Sequence, residues 1–148
     1  MKKYFALLFV VLISLSCKKK VSQNEVDQKI ITDYIAANKL NATATGSGLY
    51  YVITTQGTGT QPNANSNVTV NYKGILKDGT VFDQSSAAGA MFNLSQVITG
   101  WTEGMQLFKK GGKGILLIPS ALGYGSQVTG SIPANSVLIF DVTLINVN

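Results

Sequence analysis

The 148-residue chain has no histidine, no arginine, one cysteine and three prolines. Each shortage removes a class of chemistry. Without histidine there is no side chain that ordinarily titrates near neutrality, so the familiar proton relays and activated nucleophiles are missing. A lone cysteine forms no intrachain disulfide, and without histidine it cannot anchor a metal cluster, so neither a metal nor a cofactor is expected. The acids number only seven and are scattered along the chain. A net charge of +5 suggests a basic protein, but five of the twelve lysines are Lys2, Lys3, Lys18, Lys19 and Lys20, so residues 21–148 hold seven lysines against seven acids. That neutral remainder, devoid of arginine, excludes the basic surface that phosphate backbones require, and no nucleic-acid partner is expected. What remains is a chain 45% hydrophobic and 13% charged, rich enough in apolar residues to fold as one domain with appendages. Any activity must come from a shaped apolar pocket.

The amino terminus reads as an address. Lys2 and Lys3 form a charged start, Tyr4 to Leu15 an apolar run, and Ser16-Cys17 a small-residue cleavage point. The run is shorter than the roughly 20 apolar residues that span a bilayer. Cys17, directly after it, resembles the cysteine of a bacterial lipobox, which becomes a lipid-modified mature terminus; an incidental buried thiol is the alternative. Acyl chains contributing about 0.8 kcal/mol per buried CH₂ would anchor the protein to a membrane. The expected organisation is a signal peptide over 1–16, a lipidated linker and helix over 17–45, and the main domain over 46–148.

Ser22 followed by Glu25 fits a capping box, and Val26, Ile30, Tyr34 and Ile35 recur at helical spacing, so a helix is expected from about residue 24 to 39. Its narrow stripe must rest on the main domain, on a second copy of the chain in a homodimer, or on solvent alone. Residues 41–48 read as a linker or turn. From Leu49 onward the pattern turns to strands: Leu49 to Thr55, then Val68, Val70 and Tyr72 alternating with polar neighbours, then Val81 to Asp83 after a Lys77-Asp78-Gly79-Thr80 turn. Ser85 to Ala90 is small and loop-like. Trp101, Met105 and Phe108 at i, i+4, i+7 predict one short helix over 100–108, broken by Gly111-Gly112. Lys113 to Pro119 and Val137 to Val147 complete the strands. The class is α+β, with a mostly antiparallel sheet.

Four separated segments stand out: Y-x-G-x-L-x-D-G-x-x-F-D from Tyr72 to Asp83, V-I-x-G-W-x-E-G from Val97, A-L-x-Y-G from Ala121, and I-P-x-N-x-x-L-x-F-D-V from Ile132. In that order and spacing they resemble the FKBP-type peptidyl-prolyl cis-trans isomerases, over roughly Gly46 to Asn148. The resemblance implies a twisted antiparallel β-sheet wrapped around one short α-helix. The amino-terminal helix is similar to the extension of many envelope-located bacterial members; together with the lipobox-like setting of Cys17 this implies a lipid-anchored protein of the cell envelope with its globular part in the periplasm.

The same resemblance implies a hydrophobic bowl walled by Tyr72, Phe82, Asp83, Phe92, Val97, Ile98, Trp101, Tyr124, Ile132 and Phe140. Trp101 would be its floor and Tyr72, Phe82 and Phe140 its sides. Tyr124 and the backbone N–H of Ile132 would donate to substrate carbonyls, and Asp83 would face the amide being twisted. In many relatives an arginine orients that carboxylate; here Gln84, Ser85 or backbone donors must do so. The implied activity is prolyl isomerisation in exported, proline-containing polypeptides. The alternative is a chaperone module that grips such chains in the same bowl without accelerating them. Each residue also has a plainer reading: strand aromatics as core, Tyr72 and Tyr124 as structural phenols, Asp83 as a turn residue, and Glu103 and Asp141 as ordinary helix and strand-end charges.

Overall fold

The structure, a computed structural model, describes residues 20–148. Cys17 and the expected signal segment lie outside the described residues. Helix α1 spans Gln23–Ala37 and starts on the capping box read from the sequence: the Ser22 side chain accepts from the Glu25 N–H, and the Glu25 carboxylate accepts from the Ser22 N–H. The strands are β1 (Thr43–Ala44), β2 (Tyr50–Thr55), β3 (Asn67–Ile75), β4 (Val81–Gln84), β5 (Ala90–Asn93), β6 (Lys113–Ile118) and β7 (Leu138–Val147), with helix α2 (Thr99–Met105) between β5 and β6. They form one antiparallel sheet in the order β1-β2-β6-β7-β3-β4, with β5 pairing the other half of the β3 edge that β4 uses. No described helix is long and apolar enough to cross a membrane.

Strand β3 is the hub. One edge pairs with β7 from Val68 to Ile75; the other pairs first with β5 and then with β4. The register shifts between Thr69 and Val70 against β7 and between Gly74 and Ile75 against β4, and such bulges deepen the local twist of a sheet. The curled sheet presents a concave face on which Val68, Val70, Leu116, Ile118, Phe140, Val142 and Leu144 are buried around Trp101, Met105 and Phe108. Two of these elements differ from expectation. Strand β5 forms where only a loop was read up to Ala90, because β3 offers it an open edge. Helix α2 ends at Met105, and Phe108 reaches the core through a tightened turn in which the Leu107 and Phe108 N–H groups bond to Gly104 and Met105.

Strand β6 explains where α1 goes. Its K-G-I-L-L-I run lacks alternation because both faces are covered: Leu116 and Ile118 face the main core, while Leu117 joins Ile31, Val137 and Ile139 in a second cluster on the opposite face. Helix α1 rests there, on the chain's own sheet, with Ile30, Tyr34 and Ile35 half-buried beside Ile31. The stripe is rotated from the expected one. Val26 is 39% exposed, and the fully covered positions are Asp27 and Ile31. The segment read as a linker contributes β1, which pairs Thr43 and Ala44 with Tyr51 and Tyr50.

The docking of α1 has a measurable consequence. Ile31→Ala removes a fully buried side chain, and equilibrium unfolding in urea is expected to lose about 2–4 kcal/mol. A loss below about 0.5 kcal/mol, the range of an unremarkable surface site, would show that the helix is not seated on the sheet in solution.

Candidate functional site

Trp101 sits at the base of the concave face and is 4% exposed. Two neighbours on α2 let it lie so deep. A Cβ on Gly100 would come within 2.4 Å of Ile118, and one on Gly104 within 2.7 Å of Leu116, both closer than atoms tolerate. The helix therefore lies almost on the β6 side chains, and its indole projects into the curl of the sheet. Three rings meet the indole edge-on: Tyr72 at 5.2 Å and 89°, Phe92 at 5.2 Å and 73°, and Phe140 at 5.4 Å and 79°. Such T-shaped pairs add about 0.5–1.5 kcal/mol each beyond the area they bury. The Trp101 Nε1–H is buried and finds no acceptor among the described residues, a cost of about 1–3 kcal/mol that the ring packing must offset.

These rings line an open cavity of about 310 Å³ together with Asp83, Gln96, Val97, Ile98 and Tyr124. Eight of the ten positions singled out in the sequence thus converge on one concavity drawn from β3, β4, β5, α2, β7 and the loop after β6. Two do not line it. The Phe82 ring meets Phe140 edge-on at 5.4 Å and lies over Gly74, where a Cβ would come within 2.5 Å of it. Ile132 packs in the main core, and its N–H donates to the Thr129 carbonyl at 2.9 Å, so a hydrogen bond from it to a substrate would require that contact to open. Ile98 offers a different donor. It lines the cavity at the amino end of α2, and among the described residues nothing accepts from its N–H. Gln96 is the one lining residue not read from the sequence; it sits in the 3-10 turn Leu94–Gln96 with no apolar pattern to mark it.

Asp83 supplies the only carboxylate in the lining. Its Oδ2 accepts from the Tyr72 hydroxyl at 2.8 Å, and its Oδ1 accepts from the Gln84 N–H at 2.8 Å. The backbone donor at Gln84 was among the candidates. Ser85 was too, but its Oγ turns to the backbone and accepts from the Tyr72 N–H at 3.0 Å. The unforeseen partner is the Tyr72 phenol, whose pKa is pushed up to about 12, first by burial and then by its hydrogen bond to Asp83 and that group's charge. The site thus carries an anionic edge held by neutral donors on an otherwise apolar cup. Tyr124, at the lip, is 38% exposed. Glu103 lies outside this lining and accepts from the Ser47 hydroxyl at 2.8 Å; Asp141 is an exposed residue of β7 paired with Lys73 and Ile115 in register.

The chain is similar to an FKBP-type isomerase named FkpA from Aeromonas hydrophila, 48% identical over 133 residues, which cover 86% of this chain and 50% of that protein. Among solved structures it resembles the crystal structure of FkpA from Escherichia coli, with a TM-score of 0.75 and 43% identity over 84% of this chain and 59% of that one. It also resembles a peptidyl-prolyl cis-trans isomerase from Pseudomonas syringae pv. tomato, with a TM-score of 0.72 and 35% identity over 87% of this chain and 98% of that one. The chain spans about half the length of the curated relatives it matches. A family model described as FKBP-type peptidyl-prolyl cis-trans isomerase covers residues 58–145, which hold every side chain that lines the cup, and the chain therefore belongs to that family.

Proposed function

We propose that the protein accelerates cis-trans rotation about X-Pro bonds of polypeptide clients bound in this cup. The observation that carries the reading is the convergence of Tyr72, Phe92, Trp101 and Phe140 on one open cavity with a single carboxylate at its edge. Resonance gives the peptide C–N bond a rotation barrier of about 18–20 kcal/mol. Water favours the planar form by solvating the polarised carbonyl oxygen, and a cup of aromatic walls strips that water from a bound prolyl ring. The planar ground state then loses more than the less polar twisted state, with contacts to neighbouring client residues offsetting the cost. Each 1.4 kcal/mol removed from the barrier is worth tenfold in rate. No proton has to move, which suits a lining without histidine, cysteine or lysine.

In this mechanism Trp101 is the platform under the ring, and Tyr72, Phe92 and Phe140 close the sides. Phe82 acts through Phe140, holding it upright. The Tyr124 hydroxyl and the Ile98 N–H are the donors for client carbonyls, and Asp83 bears on the rotating amide. The roles of these residues are part of the proposal, as are the domain limits of 46–148. So is the cellular setting: the charged start, apolar run and Cys17 support a lipid-anchored envelope protein whose clients are exported chains. Mass spectrometry of the mature amino terminus tests the anchor, and an unmodified Cys17 would remove it. A homodimer through α1 has less support, since its apolar stripe is taken up by the chain's own sheet. A chaperone that binds without accelerating remains the competing reading, favoured by the exposed Tyr124 and Val128 around the loop after β6.

A protease-coupled assay on a short X-Pro peptide separates the two. The wild type is expected to accelerate the slow phase, Asp83→Ala to lower kcat/KM about tenfold with the fold intact, and Trp101→Ala to lose both activity and about 3–5 kcal/mol of stability. Binding of unfolded protein without acceleration would leave the chaperone reading standing. The Tyr72–Asp83 pair gives a pH signature as well. The Tyr72 phenol keeps its proton to about 12 in the fold against 10.0 as its ordinary value, so the stability it adds is complete below pH 10 and lost as pH rises towards 12. Urea unfolding at about pH 9 and about pH 11.5 should show a larger alkaline loss for the wild type than for Tyr72→Phe; equal losses would mean that neither burial nor the carboxylate holds the proton on the phenol.

A further inference from the structure

Asp27 is the one buried acid among the described residues, 1% exposed, and it lies on α1, outside the cavity. Among the described residues no cationic side chain pairs with it. Its Oδ1 accepts from Gln23 Nε2 at 2.7 Å, while its Oδ2 accepts from both the N–H and the hydroxyl of Ser120, at 2.8 and 2.6 Å. Ser120 is itself 2% exposed and opens the 3-10 turn Ser120–Leu122 that follows β6. The residue before it is Pro119, which has no side chain able to cap the turn. The first free N–H of the turn is therefore satisfied by a carboxylate 93 residues earlier in the chain.

From Ser120 the hydrogen bonds lead directly to the cup. The Ser120 carbonyl accepts from the N–H groups of Gly123 at 3.0 Å and Gly125 at 2.8 Å, the two residues flanking Tyr124, and the Gly125 carbonyl in turn accepts from Asn135 at 2.8 Å. Glycine imposes little preference of its own, and Gly125 has a positive φ of 59°. The position of Tyr124 at the lip thus depends on what holds Ser120, and what holds Ser120 is α1.

We propose that Asp27 is a positioning residue of the site: through Ser120 it sets the loop that carries Tyr124, which makes the amino-terminal helix a working part of the cup and not only a cover for the sheet. The inference uses the isomerase reading for its kinetic arm alone. In Asp27→Asn the oxygen facing Ser120 is neutral, so both Ser120 hydrogen bonds lose their charge assistance, and the NH₂ faces the Gln23 amide, which must turn over to accept from it.

The test uses the full chain. Amide exchange by NMR should show Gly123 and Gly125 exchanging about tenfold faster in Asp27→Asn while the amides of β3 and β7 keep their rates. In the peptide assay Asp27→Asn should lower kcat/KM about fivefold, and the loss should largely vanish when both wild type and variant carry Tyr124→Phe, the non-additivity expected of coupled residues. Unchanged glycine amides, acceleration shared equally with β3 and β7, or an undiminished loss in the Tyr124→Phe background would each overturn the proposal. Should Asp27→Asn not fold, Ser120→Ala removes only the hydroxyl donor and is read against the same outcomes. If the wild type shows no isomerase activity, that reading falls by itself, and the exchange rates still decide the role of Asp27.

Discussion

The close approach of α2 to β6 is the constraint on which the rest depends. Gly100 and Gly104, one turn apart, leave no room for even a methyl group between the helix and Ile118 and Leu116. At ordinary helix-on-sheet distance the indole of Trp101 would stand clear of the sheet and the cup would have no floor. Held this near, it meets Tyr72, Phe92 and Phe140 edge-on, and the rings lock one another in place. The buried indole N–H, without an acceptor among the described residues, is the local cost of that placement.

Strand β6 transmits the same constraint to the far side of the sheet. Its even-numbered side chains pack under α2 while Leu117 packs under α1, so the two helices grip one strand from opposite faces. The chain leaving β6 enters the Ser120 turn that Asp27 caps and then reaches Tyr124. Floor and lip of the cup are thus set by consecutive stretches of chain, each held by a different helix.

Much of this was legible in the sequence, and what was not has physical reasons. The capping box at Ser22 and Glu25, the Asp78-Gly79 turn and the alternation along β3 are local signals, and local signals survive folding. The cup residues were legible through four spaced segments, because in that order and spacing they resemble the FKBP-type isomerases and the resemblance implies which side chains face the cup. Long-range pairings were not. β5 is a strand only because β3 has a vacant edge, and the partner of Asp83 is a phenol 11 residues earlier, on the neighbouring strand. The turn that occupies the Ile132 N–H, and the Ile98 N–H that has no acceptor among the described residues, are backbone facts that side-chain identity does not report. Asp27 did leave a trace: it falls four residues before Ile31 and seven before Tyr34, an acid on an otherwise apolar stripe, which signals a buried partner elsewhere.

The central claim is that this cup works by excluding water from a prolyl amide, with no proton in flight. The most direct test is the pH and solvent-isotope dependence of kcat/KM on a short X-Pro peptide. General acid-base catalysis would impose a bell-shaped profile, whereas the account predicts a flat one from about pH 6 to about pH 9 and an H₂O/D₂O rate ratio of about 1. A titration inside that window, or a ratio of about 2 or more, would contradict it by placing a proton transfer in the rate-limiting step.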